Sequence, residues 1–240
     1  MFAWDDQDYM NGASELMPIR MQIELQYIRS KFKQAEIDWK IAFFGSARIK
    51  HFDNAETQQQ IQMSKFYTSA FMVGDLVSNY IDANGLRGIV CSGGGPGIME
   101  AVNHAAKFNG NINAGIAVQL PFETGMNPHV TEGFGFTCRY FATRKIAMVM
   151  NTLAFVAFPG GFGTLDEVME VLTLMQTGKM EKRPLILYGT DFWKKVINFE
   201  YLIECGMISA SDMDLIHFVD DPFVCADLIT DYIEQKEMDE

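Results

Sequence analysis

From Ile41 onward the chain repeats one unit: a short apolar run, a glycine-containing turn, and then a longer stretch with helical spacing of its apolar residues. Runs of this kind, almost unbroken by polar residues, suit strands buried on both faces, and strands alternating with helices imply βαβ units around a parallel sheet. The expected fold is therefore α/β, a doubly wound, mainly parallel sheet with helices on both faces. Strands are expected at 41–45, 88–91, 114–118, 153–158, 184–188 and 215–219. Helices are expected over 58–83, from the turn at 92–97 to about 108, over 139–151, from the turn at 159–164 to about 177, over 191–204, and from Pro222. An irregular connection rich in Pro and Gly is expected over 121–135. Ahead of the sheet, Met21, Leu25, Ile28, Phe32 and Trp39 recur at helical spacing and predict an amphipathic helix over 18–39. Residues 1–17, rich in Asp, Gly, Asn and Ser, read as a flexible N-terminal arm, and 18–240 as a single domain.

Composition narrows the function. With 31 acidic against 19 basic residues the net charge is −12. A chain that tracks a nucleic-acid backbone needs a basic footprint, so nucleic acid is not an expected partner. Any anionic ligand has to be held locally, by backbone N–H groups and helix N-termini that carry a positive field of their own. The four cysteines form no CxxC pair, and His51, His104, His129 and His217 are scattered, so no metal site is expected. No apolar run is long enough to cross a bilayer and no secretory signal is recognisable. The cytoplasm is the expected compartment, with no membrane partner.

Two turns stand out, Gly93-Gly-Gly-Pro-Gly-Ile-Met-Glu100 and Pro159-Gly-Gly-Phe-Gly-Thr-Leu-Asp-Glu167. Each joins an expected strand to an expected helix, where glycine permits close backbone approach and the helix start offers unpaired N–H donors. One such turn is explained equally well by tight geometry alone. Two on the carboxyl edge of one sheet point to a shared anion site. Neither ends in the Lys-Ser/Thr of a Walker loop, and the sixth position of GxGxxG is Glu100 or Asp166, so ATP hydrolysis and NAD binding are disfavoured. Glu167 lies in the first turn of its helix, where the dipole favours a carboxylate. Arg144 and Lys145 lie early in theirs, where the same dipole disfavours cations. Both helices start at the strands' carboxyl edge, so Arg144 and Glu167 can meet across one crevice; Arg139 is a competing cation.

The ordered set Gly94–Glu100, Arg144-Lys145 and Pro159–Glu167 resembles the LOG family of nucleotide phosphoribohydrolases, whose members were long labelled possible lysine decarboxylases. The resemblance spans roughly Ile41 to Tyr188 and implies that the doubly wound sheet is Rossmann-like. The segments between Leu120 and His129 and over Leu174–Lys179 are similar to the longer bacterial members. It implies hydrolysis of AMP or an N6-modified AMP (a cytokinin riboside 5′-monophosphate) to free base and ribose 5-phosphate. It also implies an AMP-like nucleoside 5′-monophosphate as the partner, no cofactor, and a homodimer or higher homo-oligomer. By the same resemblance Arg144 and Glu167 are catalytic, and Gly94, Gly95, Gly97, Gly160, Gly161, Gly163 and Thr164 form the phosphate site. Gly45, Ser46 and Arg48 stand in the first ligand-facing loop, with Lys145 and, more weakly, Glu100 also near substrate. Two other readings remain open at this level. One is a non-catalytic carrier of a nucleotide or a molybdenum-cofactor-like pterin, which needs no carboxylate at a ribose. The other is amino-acid decarboxylation, which needs a Schiff-base lysine such as Lys145 or Lys179.

Overall fold

The computed structural model describes residues 14–120 and 125–239. Its sheet has seven strands, β1 (Trp39–Phe44), β2 (Gly88–Ser92), β3 (Asn113–Val118), β4 (Gly135–Cys138), β5 (Thr152–Ala157), β6 (Leu185–Tyr188) and β7 (Ile216–Val219). They are ordered β4-β3-β2-β1-β5-β6-β7, and every neighbouring pair is parallel. The expected doubly wound α/β fold is thus present, with the chain reversing its direction of travel across the sheet between β1 and β5. A crevice opens beyond the strands' carboxyl ends at such a switch point.

Eight α-helices are described: α1 (Met17–Gln34), α2 (Gln58–Ala83), α3 (Ile98–Phe108), α4 (Phe141–Val149), α5 (Phe162–Gln176), α6 (Thr190–Val196), α7 (Phe199–Glu204) and α8 (Pro222–Asp239). Alternation along β1 splits the core in two. Ile41 and Phe43 join Val73, Val77, Val102 and Ile229 from α2, α3 and α8 on one face. Ala42 and Phe44 join Ile28, Met148, Val171 and Trp193 from α1, α4, α5 and α6 on the other. Side chains on successive strand residues point to opposite faces, so a run with no polar interruption is what a doubly covered strand requires.

Four boundaries differ from the sequence expectation. The first helix stops at Gln34, because Glu36 takes a left-handed φ of 56° and Trp39 opens β1, where it pairs with Gly88. Tertiary pairing overrides the helical spacing that had included Trp39. Gly135–Cys138, expected in part as irregular connection, is an edge strand too short for its alternation to stand out. The helix expected over 139–151 is confined to α4, since Tyr140 is extended and Met150 caps its end. The helix expected over 191–204 is two helices, divided at Asn198, whose side chain accepts the Tyr201 N–H and caps α7. Of the expected arm, 1–13 lie outside the described residues, Ser14–Leu16 form a 3₁₀ turn, and Met17 already belongs to α1. Residues 121–124 of the Leu120–His129 segment also lie outside them.

One buried cation has a structural explanation. Lys40, which burial drives down to a pKa of about 8, donates to the Met150 carbonyl at the end of α4. A cation there satisfies an orphan carbonyl and the negative pole of the helix.

Candidate active site

A cleft of about 550 Å³ lies at the switch point and is lined by the ends of β1, β2, β3 and β5 and by the starts of α4 and α5. Gly45, Ser46 and Arg48 supply its β1 side, Gly93 and Gly95 its β2 side, and Gly161, Gly163 and Thr164 its β5 side. Arg144 and Glu167 lie in it together. The three loops are stitched into one floor: the Ser46 N–H donates to the Pro159 carbonyl at 3.1 Å, and the Ser46 carbonyl accepts the Ile98 N–H at 3.1 Å.

Arg144 Nη2 and Glu167 Oε1 are 2.7 Å apart, and their side chains keep only 14% and 8% exposure. The Arg144 Nε–H also donates to the Ile116 carbonyl at 3.1 Å, which ties the guanidinium to β3 and aims its remaining edge at the carboxylate. Gly93 makes room for it, since a Cβ there would sit 2.8 Å from Nη2. Burial pushes the Glu167 carboxyl above the usual range; Arg144 pulls it back, while Asp166 and Glu170 add to the rise. The net effect is upward, so the carboxylate is poorly solvated and its charge acts through low-dielectric surroundings on whatever lies in the cleft.

At the β5 side, Gly161 is the N-cap of α5 and offers no side chain to cap its first turn. Its leading N–H groups therefore face the cleft as anion donors, with the positive end of the helix dipole behind them. A Cβ at Gly161 or Gly163 would meet nothing within 4 Å, so the space over these residues is open.

The remaining expected residues play other parts. A Cβ at Gly160 would strike the Thr164 side chain, so that glycine shapes the turn without facing the cleft. Gly94 and Gly97 take φ of 74° and 72°, and a Cβ on them would strike Met126 and the Ser46 carbonyl respectively; both allow close backbone packing beneath the floor. Glu100 sits 3.8 Å from His129 Nε2 and does not line the cleft. Lys145 turns to α5 and pairs with Asp166 at 3.1 Å and Glu170 at 3.5 Å. Burial works to lower its pKa, but those two partners outweigh burial and hold it above the ordinary lysine range. Arg139 and Lys179 are exposed and outside the cleft. Among the described residues no lysine lines the cleft, so the residues present do not fit a pyridoxal Schiff base.

Sequence reasoning passed over the apolar lining. Phe162, 93% exposed, and Phe141, 55% exposed, stand at the rim, with Met99, Val118 and Leu120 between the polar groups. An aromatic residue between two glycines of a turn was the available signal for Phe162.

Residues 99–229 match the model of the family described as Possible lysine decarboxylase. The chain belongs to that family. The LOG resemblance of the sequence is supported by curated relatives as well. A cytokinin riboside 5′-monophosphate phosphoribohydrolase of Arabidopsis thaliana is 30% identical over 159 residues, 65% of this chain and 71% of the relative. A probable enzyme of the same name from Oryza sativa subsp. japonica is 32% identical over 142 residues, 57% of this chain and 62% of the relative. In fold, the chain is similar to the molybdenum cofactor binding protein of Rippkaea orientalis, with a TM-score of 0.54 and 20% identity over 82% of this chain and 98% of that one. The molybdenum cofactor carrier protein of Chlamydomonas reinhardtii gives 0.53 and 21% over 82% and 99%. At such identities the likeness of this LOG-family chain to these two is one of fold.

Proposed function

We propose that the chain hydrolyses the N-glycosidic bond of AMP or an N6-modified AMP, giving the free base and ribose 5-phosphate. The observation that carries this reading is the buried Arg144–Glu167 pair, 2.7 Å apart, in a cleft whose β5 side is an uncapped helix start. A carrier needs the anion donors but has no use for a poorly solvated carboxylate at the sugar. The phosphate rests on the N–H groups of Gly161, Gly163 and Thr164, with Ser46 and Arg48 across the groove. The ribose lies over Glu167, and the base extends toward Phe141 and Leu120.

Bond breaking places positive charge on the ribose ring, and the Glu167 carboxylate stabilises it. Water adds to C1′, the C1′–N bond breaks toward the base, and one proton of the water ends on the base. Glu167 orients that water. Arginine stays protonated at any physiological pH, so Arg144 holds Glu167 and an oxygen of the substrate and transfers no proton.

The working assembly in this reading is a cytoplasmic homodimer or higher homo-oligomer. Exposed Ile19, Ile23 and Tyr27 on α1, with Phe141 and Ile146 on α4, supply apolar surface for it. Among the described residues no helix is long and apolar enough to cross a membrane.

Incubation with AMP and chromatography for adenine tests the reaction directly. Release of adenine with equimolar ribose 5-phosphate is the expected result. AMP bound and returned intact would overturn the hydrolase in favour of a carrier.

A further inference from the structure

Behind the Gly93–Gly95 turn lies a chain of buried amides and a hydroxyl. Ser92, Asn103 and Asn113 are fully buried and Asn127 is 8% exposed. The Asn127 Nδ2 group donates to the Gly95 carbonyl at 3.0 Å and to Asn103 Oδ1 at 2.9 Å. Its Oδ1 accepts the His129 N–H at 3.1 Å, and its own backbone N–H donates to the Gly94 carbonyl at 2.8 Å. A flipped carboxamide would set oxygen against two acceptors, so the orientation is fixed. Asn103 carries the chain onward to Asn113 Oδ1 at 2.8 Å and the Ala114 carbonyl at 3.1 Å, while Ser92 Oγ donates to Asn103 Oδ1 at 2.7 Å.

Glycine peptide planes rotate easily, and a carbonyl turned into the cleft would repel a phosphate ester. The Asn127 backbone N–H draws the Gly94 carbonyl, and its side chain draws the Gly95 carbonyl, to the side away from the cleft, which Gly95 lines and Asn127 does not; the side-chain bonds to Gly95, Asn103 and His129 also anchor the backbone that holds Gly94. In a trans peptide the N–H points opposite to the preceding carbonyl, and no peptide here is cis. The Gly95 N–H therefore points toward the cleft, and among the described residues no protein acceptor takes it.

We infer that Asn127 is a positioning residue that locks the glycine turn with the Gly95 N–H presented to the ribose 5-phosphate half of the substrate. The inference rests on the proposed ligand, not on its cleavage. It adds a residue outside both glycine motifs to the recognition of the sugar phosphate.

Asn127→Asp keeps the side chain's shape while replacing the donor that faces the two acceptors with an oxygen. By calorimetry on the full chain, its Kd for ribose 5-phosphate rises tenfold or more, while its affinity for free adenine changes less than twofold. With AMP, KM rises by the larger factor and kcat falls by the smaller. Asn127→Ala, which adds no charge, follows the same pattern and guards against misfolding of the first variant. Unchanged ribose 5-phosphate affinity in both variants would overturn the inference, as would equal losses for sugar phosphate and adenine, the mark of a loosened fold. A wild-type chain that binds AMP without cutting it, with affinity lost in both variants, would sink the hydrolase and leave the positioning role standing.

Discussion

Glu167→Gln changes one oxygen to an amide at a position where both states fit the same space. A full negative charge about 4 Å from a ring developing positive charge is worth about 4 kcal/mol at an effective dielectric of about 20. Arg144, 2.7 Å from the carboxylate, offsets part of that field. Glutamine retains an oxygen dipole that still accepts from the guanidinium. A loss of about 2.7 kcal/mol remains, which lowers turnover ~10²-fold. Stability moves differently. Burial raises the Glu167 pKa in the folded chain, so the stabilisation that comes with its protonated form is complete below the unfolded carboxyl value and is lost as pH rises through the folded one. At neutral pH the ionised side chain is a burden that glutamine lacks. The variant should unfold no more easily than the wild type above pH 7, and any advantage should fade on acidification. The assays are adenine release, calorimetric AMP binding and denaturant unfolding at two pH values. Near-normal turnover, with AMP affinity within threefold, would remove Glu167 from the chemistry.

Arg144→Lys abolishes the paired contacts to Glu167 and Ile116, because lysine lacks the planar fork. Activity should fall ~10²-fold or more, and the acid limb of the pH–rate profile should move to higher pH, since the group that lowers the Glu167 pKa is weakened; a limb that stays put would refute the coupling. Gly161→Val has open space for its side chain and should fold normally while AMP affinity drops tenfold or more by calorimetry. Gly160→Ala should do the reverse, costing about 1–3 kcal/mol of stability in denaturant titration through its clash with Thr164. Gly93→Ala presses on the Met99 sulfur and the Arg144 guanidinium together and should lower kcat at least tenfold; full activity would show that Arg144 needs no such clearance.

The parallel sheet and the Arg144–Glu167 meeting were legible because each depends on a local signal repeated along the chain. Apolar runs marked the strands, and the helix starts that follow them share one edge. Lys145 was misjudged because neighbouring helical residues point about 100° apart, so a residue adjacent to Arg144 faces α5 and its carboxylates. Trp39 satisfied the helical period and the strand equally, and only pairing with Gly88 decides between them. The Asn127 network left no periodic trace. Its members come from β2, α3, β3 and the segment after residue 125, and each alone reads as an ordinary polar residue.

The double stitch at Ser46 has a mechanical consequence. One residue is fastened through its N–H to Pro159, after β5, and through its carbonyl to Ile98, after β2; the first bond ties the two halves of the sheet together at their seam, and the second holds the β1 and β2 loops to each other. Hinge bending between the halves, the common way for two-lobed proteins to swallow a ligand, would have to break the fastening to Pro159. A nucleotide bound as proposed would meet a groove already shaped for it, and among the described residues the side chains of Phe141 and Phe162 stand at the mouth, where they can shield the sugar from bulk solvent.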